Sequence, residues 1–316
     1  MNKTVIVICG ATASGKTEIA SSLCELAGGE IISADSRQVY KFLDTGTNKS
    51  GVYNAAKKIR ETAAGIPQHL TDLINPDAIF TAGDFSREAN RLIRDIKNSG
   101  KTPVVTGGTG LYIKALVNGL APMPEKNDAI RAELKEVIKQ RGPGALYLQL
   151  KAVDPEGAEK NRSNPQRLIR ALEIFRLTGK PIAYWHSRTV KPEWNFVQFA
   201  TLWKREELCQ NINERSAAML KAGMVEETKK ALSLGYDKNS PGFGSIGYRH
   251  VISFIEGGID IKRTEELIAF DTRRYAKRQM TWFRNIPGVR WLEIEKSSFD
   301  PKQAAASISK QINNML

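Results

Sequence analysis

Cysteine is scarce in this chain of 316 residues, which contains only Cys9, Cys24 and Cys209, far apart from one another. Three scattered thiols cannot form the framework of a disulfide-stabilised secreted domain. Cys9 lies in an apolar stretch, where a reduced thiol behaves as a small hydrophobic group. The cysteine content therefore excludes a disulfide scaffold, and we expect a cytoplasmic protein.

Histidine and long hydrophobic runs are equally scarce. His69, His186 and His250 are isolated and none has the spacing of a zinc site, so we expect them to be structural or exposed. No segment approaches the roughly 18 apolar residues that span a membrane. The short apolar run at the N-terminus leads directly into a glycine-rich turn, which predicts a strand rather than a signal peptide. The sequence gives no reason to expect a membrane or zinc protein.

Acidic residues are too few to balance the basic ones. Lys and Arg total 47 against 34 Asp and Glu, which gives a net charge of +13. Such an excess favours a polyanionic partner, because contacts with phosphates release counterions. Charge alone is equally consistent with an ordinary basic enzyme, so it needs support from a motif.

The first part of the chain alternates between two periodicities. Apolar runs predict strands at Thr4–Cys9, Glu30–Ala34 and Pro103–Thr106, and helical patterns cover residues 17–27, 85–97 and 111–117. This alternation predicts an α/β fold: a P-loop NTPase-like core with a parallel sheet flanked by helices. The active groups of such a sheet lie at the carboxyl ends of its strands.

The pattern changes after Leu120. A linker-like Ala-Pro-Met-Pro turn occupies residues 121–124, and helices follow over 128–140 and 165–178 with no strand between them. We therefore predict a helical insertion domain at 122–189 and a core formed by 1–121 and 190–316. The core resumes with a strand at 196–203, helical segments at 205–235 and 262–284, and a last strand at 289–294.

A phosphate-binding loop follows the first predicted strand. It consists of Gly10, Ala11, Thr12, Ala13, Ser14, Gly15, Lys16 and Thr17, and it opens a predicted helix. Its glycines let backbone N–H groups converge on one anion, and the helix N-terminus adds partial positive charge. Lys16 would meet the terminal phosphate and Thr17 would offer its hydroxyl to Mg²⁺. The loop predicts a diphosphate or triphosphate ligand without specifying the reaction.

A carboxylate follows the second predicted strand. Asp35 would lie at the strand's carboxyl end beside the loop, where it can act on Mg²⁺ through water or serve as a general base. The alternative is a helix-capping role, since Asp and Ser favour helix starts.

An ordered set of motifs extends this pattern over almost the whole chain. The segments are Gly10–Thr17, Asp35–Tyr40, Ile66–Leu70 with Asp72, Gly107–Tyr112, Asp154–Gly157, Asn164–Glu173, Thr178–Pro181, Ile246–Tyr248, Thr272–Gln279 and Thr281–Arg284. Together they resemble the tRNA dimethylallyltransferase family. The loop is common to many unrelated enzymes, whereas this ordered set is not.

The resemblance implies a reaction and roles for individual residues. The loop would hold the diphosphate of dimethylallyl diphosphate, with Mg²⁺, and the acceptor would be N6 of the adenosine directly 3′ of the anticodon in tRNA. Asp35 would take the proton from N6, while Lys16, Thr17 and the loop amides stabilise the departing diphosphate. Arg205 resembles a family arginine near the diphosphate. The five-carbon donor rests on the resemblance alone.

The resemblance also implies a tRNA-binding set: Asp35, Ser36, Arg37, Gln38, Thr109, Arg131, Gln166, Arg167 and Arg170. The helical insertion would bind the anticodon stem-loop. Three positions depart from the common family pattern. Ala11 replaces a usual proline, Lys204 stands where Asp is frequent, and Asn211 stands where Arg is frequent. The last departure leaves open which basic residue neutralises the diphosphate.

A basic stripe lies near the end of the chain. Arg273, Arg274, Lys277 and Arg278 recur at helical spacing among aromatic residues, and we assign Arg274, Lys277 and Arg278 to tRNA binding. The alternative is an ordinary solvated helix face.

Two other functions share the phosphate loop. A small-molecule kinase would transfer phosphoryl groups from ATP but leaves the basic stripe unexplained. An RNA-binding NTPase switch would couple nucleotide to RNA affinity without forming a product. No hydrophobic run ends in the Asp that usually completes an NTPase metal site, unless Asp35 serves. We expect a monomer that acts away from membranes.

Overall fold

A computed structural model describes residues 3–315. Within them the chain forms two compact units, one built from residues 3–117 with 193–315 and the other from Asn118–Pro192. We call them the core unit and the helical unit. The segment 122–189, predicted as an insertion, lies within the helical unit. No helix of the described residues is long and apolar enough to cross a membrane.

The core unit contains one eight-stranded sheet with the order β3-β4-β5-β2-β6-β1-β7-β8. The strands are β1 Thr4–Gly10, β2 Gly29–Ser33, β3 Val52–Asn54, β4 Ile59–Glu61, β5 Pro67–His69, β6 Thr102–Gly107, β7 Asn195–Trp203 and β8 Arg290–Ile294. All pairs from β5 to β8 are parallel, which confirms the predicted parallel sheet. The β3-β4-β5 extension is antiparallel, and its strands of three residues each carry too little alternation to be predicted.

The central strand β1 is buried on both faces, as its continuous apolar run predicts. Ile6 and Ile8 pack in one hydrophobic cluster with residues of the first helix, while Val5, Val7 and Cys9 pack in another. Successive side chains of a strand point to opposite faces, so helices cover the sheet on both sides. Burial raises the pKa of the Cys9 thiol to about 12, so this cysteine stays protonated.

The core helices surround this sheet. They are α1 Lys16–Ala27, α2 Ala82–Asn98, α3 Gly110–Asn118, α9 Arg205–Lys221, α10 Met224–Ser233, α11 Tyr248–Ile255, α12 Ile261–Arg284 and α13 Pro301–Asn313, with short 3₁₀ turns at Pro241–Gly244 and Lys296–Ser298. The prediction of one helical segment over 205–235 was wrong in one respect. The chain breaks at Gly223, whose φ of 98° is a left-handed conformation that ends α9 and caps α10.

The helical unit contains five helices: α4 Asp128–Arg141, α5 Pro143–Val153, α6 Pro155–Asn161, α7 Pro165–Thr178 and α8 Ile182–His186. The predicted boundaries of α7 are observed. Asn164 caps its start by accepting a hydrogen bond from the Arg167 N–H, and Gly179 ends it in a left-handed conformation. Leu134, Leu146, Leu150, Leu168 and Leu172 form the centre of its hydrophobic cluster.

One buried carboxylate links α4 to α7 in the helical unit. Glu173 accepts two hydrogen bonds from Arg131, at 2.8 and 3.0 Å, one from Arg170 at 2.6 Å, and one from the Asn127 N–H at 2.6 Å. Its side chain is fully shielded from solvent. Burial by itself would raise the pKa of Glu173, but the hydrogen bonds from both arginines outweigh it and the pKa is lowered.

We predict that Glu173→Gln lowers the stability of the helical unit by about 1–3 kcal/mol, because it leaves two partly enclosed guanidinium groups without their anion. Since the folded pKa is depressed, this stabilisation is present above the ordinary carboxyl pKa of about 4.3 and is lost as pH falls through the lower folded value. Thermal unfolding followed by circular dichroism at pH 7 measures the loss. The control is Glu133→Gln, an exposed partner of Arg176, which should change stability by less than about 0.5 kcal/mol. Equal effects of the two variants would contradict the assignment.

Candidate active site

The phosphate loop has the backbone conformation that its sequence predicts. It runs from the end of β1 at Gly10 to the start of α1 at Lys16, and Gly15 caps the helix in a left-handed conformation with φ 75°. A Cβ on Gly10 would lie 2.2 Å from the Thr201 Oγ1, so only glycine fits beside β7. Ala13 also has a positive φ, 61°, in the middle of the loop.

Hydrogen bonds to distant elements hold the loop. The Ser14 hydroxyl lies 2.7 Å from both the Ala11 carbonyl and the Thr201 hydroxyl, and the Trp203 indole donates to the Ser14 carbonyl. The Gln279 side chain on α12 accepts from the Thr12 N–H and donates to the Gly108 carbonyl, each at 2.8 Å. Gln279 therefore joins the phosphate loop to the carboxyl end of β6.

Two cations converge on this loop, and the hydrogen bonds observed for them end on neutral oxygen atoms. Lys16 donates to the Ala11 carbonyl at 2.5 Å, and Arg215 on α9 donates to the Thr12 hydroxyl at 2.6 Å. Loss of solvation lowers the pKa of Lys16 to about 8; the like charge of Arg215 contributes, while Asp35 and Glu18 oppose it. Burial also lowers the pKa of Arg215. This arrangement is typical of a site prepared for an anion.

A cavity of about 530 Å³ opens in front of the loop. Its walls come from the carboxyl ends of strands, from α9 and from the segment before α13. The lining residues are Thr12–Glu18, Ser33, Asp35, Gln38, Thr47, Asn48, Gln68, Thr106–Gly108, Trp203, Asn211, Arg215, Lys296 and Phe299. The cavity thus brings the predicted phosphate loop, Asp35 and Gln38 into one site.

Asp35 lies two residues after the end of β2, and Ser36 is hydrogen-bonded to the segment that follows β6. The Asp35 Oδ1 accepts a hydrogen bond from the Arg37 N–H at 2.8 Å, so it also caps the turn that follows, as the alternative interpretation proposed. The Ser36 N–H donates to the Thr109 hydroxyl at 2.9 Å. Four of the predicted tRNA-binding residues are therefore held in two hydrogen-bonded pairs within the core unit.

The part of the cavity wall that contains Thr47 and Asn48 was not predicted. The Gln38 amide donates to the carbonyls of Thr47 and Asn48, at 3.3 and 3.2 Å. The Glu227 carboxylate on α10 accepts hydrogen bonds from three consecutive backbone N–H groups, those of residues 44–46, and from the Tyr248 hydroxyl. A Cβ on Gly46 would lie 2.4 Å from the Tyr248 ring. Only the Ile246–Tyr248 motif gave a signal for this contact in the sequence.

Charged side chains hold the same wall from the other side. Lys49 and Arg60 are both almost completely shielded, and each pairs with Asp44 and with Asp72 at 2.5–2.9 Å. Four alternating charges are in contact, with Asp72 shielded and Asp44 partly exposed, so the segment that carries Thr47 and Asn48 is fixed in place.

Arg215, a basic residue that was not predicted, lies at the loop together with Lys16. Arg205 is exposed as the first residue of α9 and is not among the described residues that line the cavity. Asn211 and Arg215, two positions one turn apart on the same helix, do line it. The motifs used in the sequence analysis did not include Arg215. The role of Arg205 stays a prediction.

The predicted tRNA-binding residues fall into two groups outside the cavity. In the helical unit, Gln166 and Arg167 are exposed on α7, whereas Arg131 and Arg170 bind Glu173. On α12 of the core unit, Arg274, Lys277 and Arg278 are exposed at helical spacing. The guanidinium group of Arg278 lies over the Tyr275 ring, 5.6 Å from its centre. This geometry does not test whether either group contacts RNA, so these assignments stay predictions.

Residues for a divalent cation are present but sparse. Among residues 3–315, no group of three or more His, Cys, Asp or Glu side chains could enclose a metal. Thr17, Glu18 and Asp35 line the cavity next to the loop. Mg²⁺ commonly binds through one or two protein oxygens together with substrate phosphates and waters, and this donor set fits that pattern.

Fold and site together define the class. A parallel α/β sheet with a Gly-x₄-Gly-Lys-Thr loop at the end of its central strand, facing a cavity with two poorly solvated cations, is a P-loop phosphate-binding site. The family model described as IPP transferase matches residues 38–286, and the model described as isopentenyl transferase matches residues 3–63. The chain belongs to the IPP transferase family, whose curated relatives are tRNA dimethylallyltransferases.

Relatives and solved structures agree with this assignment. The chain is 47% identical to the tRNA dimethylallyltransferase of Endomicrobium trichonymphae over 90% of this chain and 93% of that one. It is 37% identical to the enzyme of Carboxydothermus hydrogenoformans over the full length of both. The crystal structure of a tRNA delta(2)-isopentenylpyrophosphate transferase from Staphylococcus epidermidis covers both chains completely, at 32% identity and a TM-score of 0.70. A eukaryotic dimethylallyltransferase acting on tRNA matches 99% of this chain and 80% of its own, at 26% identity and a TM-score of 0.79.

We predict that anion binding at the loop weakens as Lys16 loses its proton. A lysine is charged below its pKa, so the affinity for inorganic pyrophosphate should fall as pH rises through about 8, by up to about tenfold per unit. Isothermal titration calorimetry between pH 7 and 10 measures this. Lys16→Arg is the matched control, because a guanidinium stays charged over that range while the ionisation of pyrophosphate is the same. If both proteins show the same pH dependence, Lys16 is not the titrating group.

Proposed function

We propose that this protein transfers the dimethylallyl group of dimethylallyl diphosphate to N6 of the adenosine directly 3′ of the anticodon in tRNA and releases diphosphate. The observation that supports it best is a single cavity that combines an anion-binding loop, Lys16 and Arg215 with the carboxylate of Asp35. The relatives named above as tRNA dimethylallyltransferases extend over nearly the whole chain.

On the acceptor side, Asp35 acts as the general base. The nitrogen N6 attacks the allylic carbon, a C–N bond forms, and the proton of N6 passes to the Asp35 carboxylate. An adenine amine is a poor nucleophile because its lone pair is delocalised into the ring. Removing its proton as the bond forms therefore lowers the barrier.

On the donor side, the C–O bond to the diphosphate breaks and its electron pair leaves with the diphosphate. Lys16, Arg215 and the loop N–H groups neutralise the charge that develops there, and they need little reorganisation because the loop is already fixed. The hydroxyl of Thr17 would be a ligand of Mg²⁺ at this site. When bound, that ion supplies further positive charge to the leaving group.

Recognition of the tRNA uses the rest of the predicted set. The base must leave its stack to reach Asp35, which costs least in a single-stranded loop such as that of the anticodon arm. Ser36, Arg37 and Gln38 follow Asp35 directly in the chain, and Thr109 is hydrogen-bonded to Ser36. Gln166 and Arg167 of the helical unit and the stripe on α12 offer exposed polar and basic groups for the backbone.

We further propose a cytoplasmic monomer. The thiols of Cys9, Cys24 and Cys209 are free, as is typical of a reducing compartment.

Asp35→Asn should lower the rate constant for transfer by about 10²–10⁴-fold, because an amide still accepts the Arg37 hydrogen bond but cannot take a proton. The measurement is incorporation of radiolabelled dimethylallyl groups into unmodified tRNA with Mg²⁺. Asp237→Asn is the matched control, since the exposed Asp237 accepts the equivalent bond from Asn239 and should leave activity unchanged. Absence of label with wild-type protein, together with ATP turnover, would favour the kinase instead.

Replacing Arg274, Lys277 and Arg278 together by Gln should weaken tRNA binding and flatten its salt dependence. Each lost phosphate contact lowers the slope of log affinity against log salt by about 0.7–0.9. Filter binding of tRNA at 50–300 mM salt measures the slope. The control variant replaces three exposed lysines of α9 and α10 by Gln and loses the same charge: Lys221, Lys229 and Lys230. An unchanged slope in the first triple would remove the stripe from the tRNA-binding surface.

A further inference from the structure

The segment between β8 and α13 closes one side of the phosphate-loop cavity. We call residues 295–300 the closing segment; it contains the 3₁₀ turn Lys296–Ser298. The Phe299 ring covers Gly15 so closely that a Cβ on this glycine would lie 2.2 Å from the ring. The ring also packs on Trp203, with 5.4 Å between centroids. The closing segment therefore packs on the loop through apolar contacts.

Polar contacts fix the same segment to α9. The Lys296 N–H donates to the Glu207 carboxylate at 3.1 Å, and Glu295 pairs with Lys204 at 2.8 Å. Asp300 caps α13 by accepting a hydrogen bond from the Lys302 N–H. The backbone of Lys296 is thus held in place beside the cavity, which its side chain lines together with Asn211 and Arg215.

The charged groups around the loop do not fully neutralise a bound diphosphate. An allylic diphosphate carries about three negative charges near neutral pH, since the last ionisation of a terminal phosphate lies near pH 6. With Mg²⁺ bound, Lys16, Arg215 and the ion supply about four positive charges, while the diphosphate, Glu18 and Asp35 together carry about five negative ones. Asn211 adds only a neutral amide to the wall, so a further positive group would improve the balance.

The ammonium group of Lys296 is available for that purpose. It pairs with Glu214 at 2.7 Å, and both side chains are substantially exposed, at 39% and 67%. An exposed pair of this kind contributes little to stability, because water screens it and both side chains lose freedom. The ammonium can therefore exchange Glu214 for a phosphate oxygen at small cost.

We propose that Lys296 is a further diphosphate-binding residue, which the closing segment delivers to the cavity from the C-terminal end of the chain. The inference rests on the proposed function of the loop and adds a contact on the side of the diphosphate facing α9. It assigns a role in substrate binding to a segment outside the motifs of the phosphate loop and of Asp35.

The test is calorimetric titration of the full-length protein with inorganic pyrophosphate and Mg²⁺. Lys296→Met should weaken binding about tenfold, as expected for the loss of one partly screened charge contact. The affinity of Lys296→Arg for pyrophosphate should stay within about twofold of that of the wild type, because the positive charge is kept. A purely structural role of the lysine side chain does not predict this retention. Glu214→Gln should bind as well as wild type or more tightly, because it releases the ammonium. Lys302→Met, at an exposed lysine outside the cavity lining, is the control and should change nothing.

In the label-transfer assay, Lys296→Met should raise the KM for dimethylallyl diphosphate and leave the KM for tRNA unchanged. Pyrophosphate affinity within twofold of wild type in Lys296→Met would overturn the inference, provided that Lys16→Met loses binding. If Lys16→Met also binds normally, the loop is not the diphosphate site and the proposed function fails with the inference. The two failures are therefore distinguishable.

Discussion

The structure depends on the gathering of poorly solvated positive charge at one edge of the sheet. Lys16 and Arg215 both lose much of their solvation, and Arg215 lies close enough to Lys16 to disfavour its charged form. Bringing two like charges together away from water is unfavourable until an anion arrives. The surrounding fold must therefore hold the site open and rigid, since an empty loop of this kind would otherwise relax towards solvent or towards the nearest carboxylate.

Much of the core unit serves this requirement. The loop is held by β7 through Ser14 and Thr201, by α12 through Gln279, and by Phe299 over Gly15. Close approach of Gly10 and Gly108 to their neighbours leaves no space for a Cβ, so the glycines of these motifs serve packing as well as turn formation. Elsewhere in the cavity wall, Glu227 uses three backbone N–H groups to fix the segment that contacts Gln38. These contacts come from elements far apart in the chain, and each one limits how far the loop can move.

Features of the site that depend on residues close together in the sequence could be predicted, whereas contacts between residues far apart in the chain could not. The loop, Asp35 and the parallel strands were predictable because their signals are local: glycine spacing, an apolar run, and a polar residue after a strand. Arg215, Lys296 and Phe299 reach the cavity from positions about 200–280 residues later, and no local pattern marks them. Helical spacing places Glu173 within reach of Arg170, three residues earlier on α7, but spacing cannot reveal a partner on another helix. The ion pair of Arg131 with Glu173 was therefore missed.

The separation of opposite charges within the cavity is as important as their presence. Asp35 is close enough to oppose the lowered pKa of Lys16, yet the hydrogen bonds observed for the two residues go elsewhere, from Lys16 to the Ala11 carbonyl and to Asp35 from the Arg37 N–H. A direct salt bridge would consume the cation needed for a diphosphate and the carboxylate needed for a proton. Parallel strands resolve this conflict, because β1 and β2 end at the same edge but are separated by β6. The loop and the carboxylate thus face one cavity from different strands, with space between them for a bond to break on one side and form on the other.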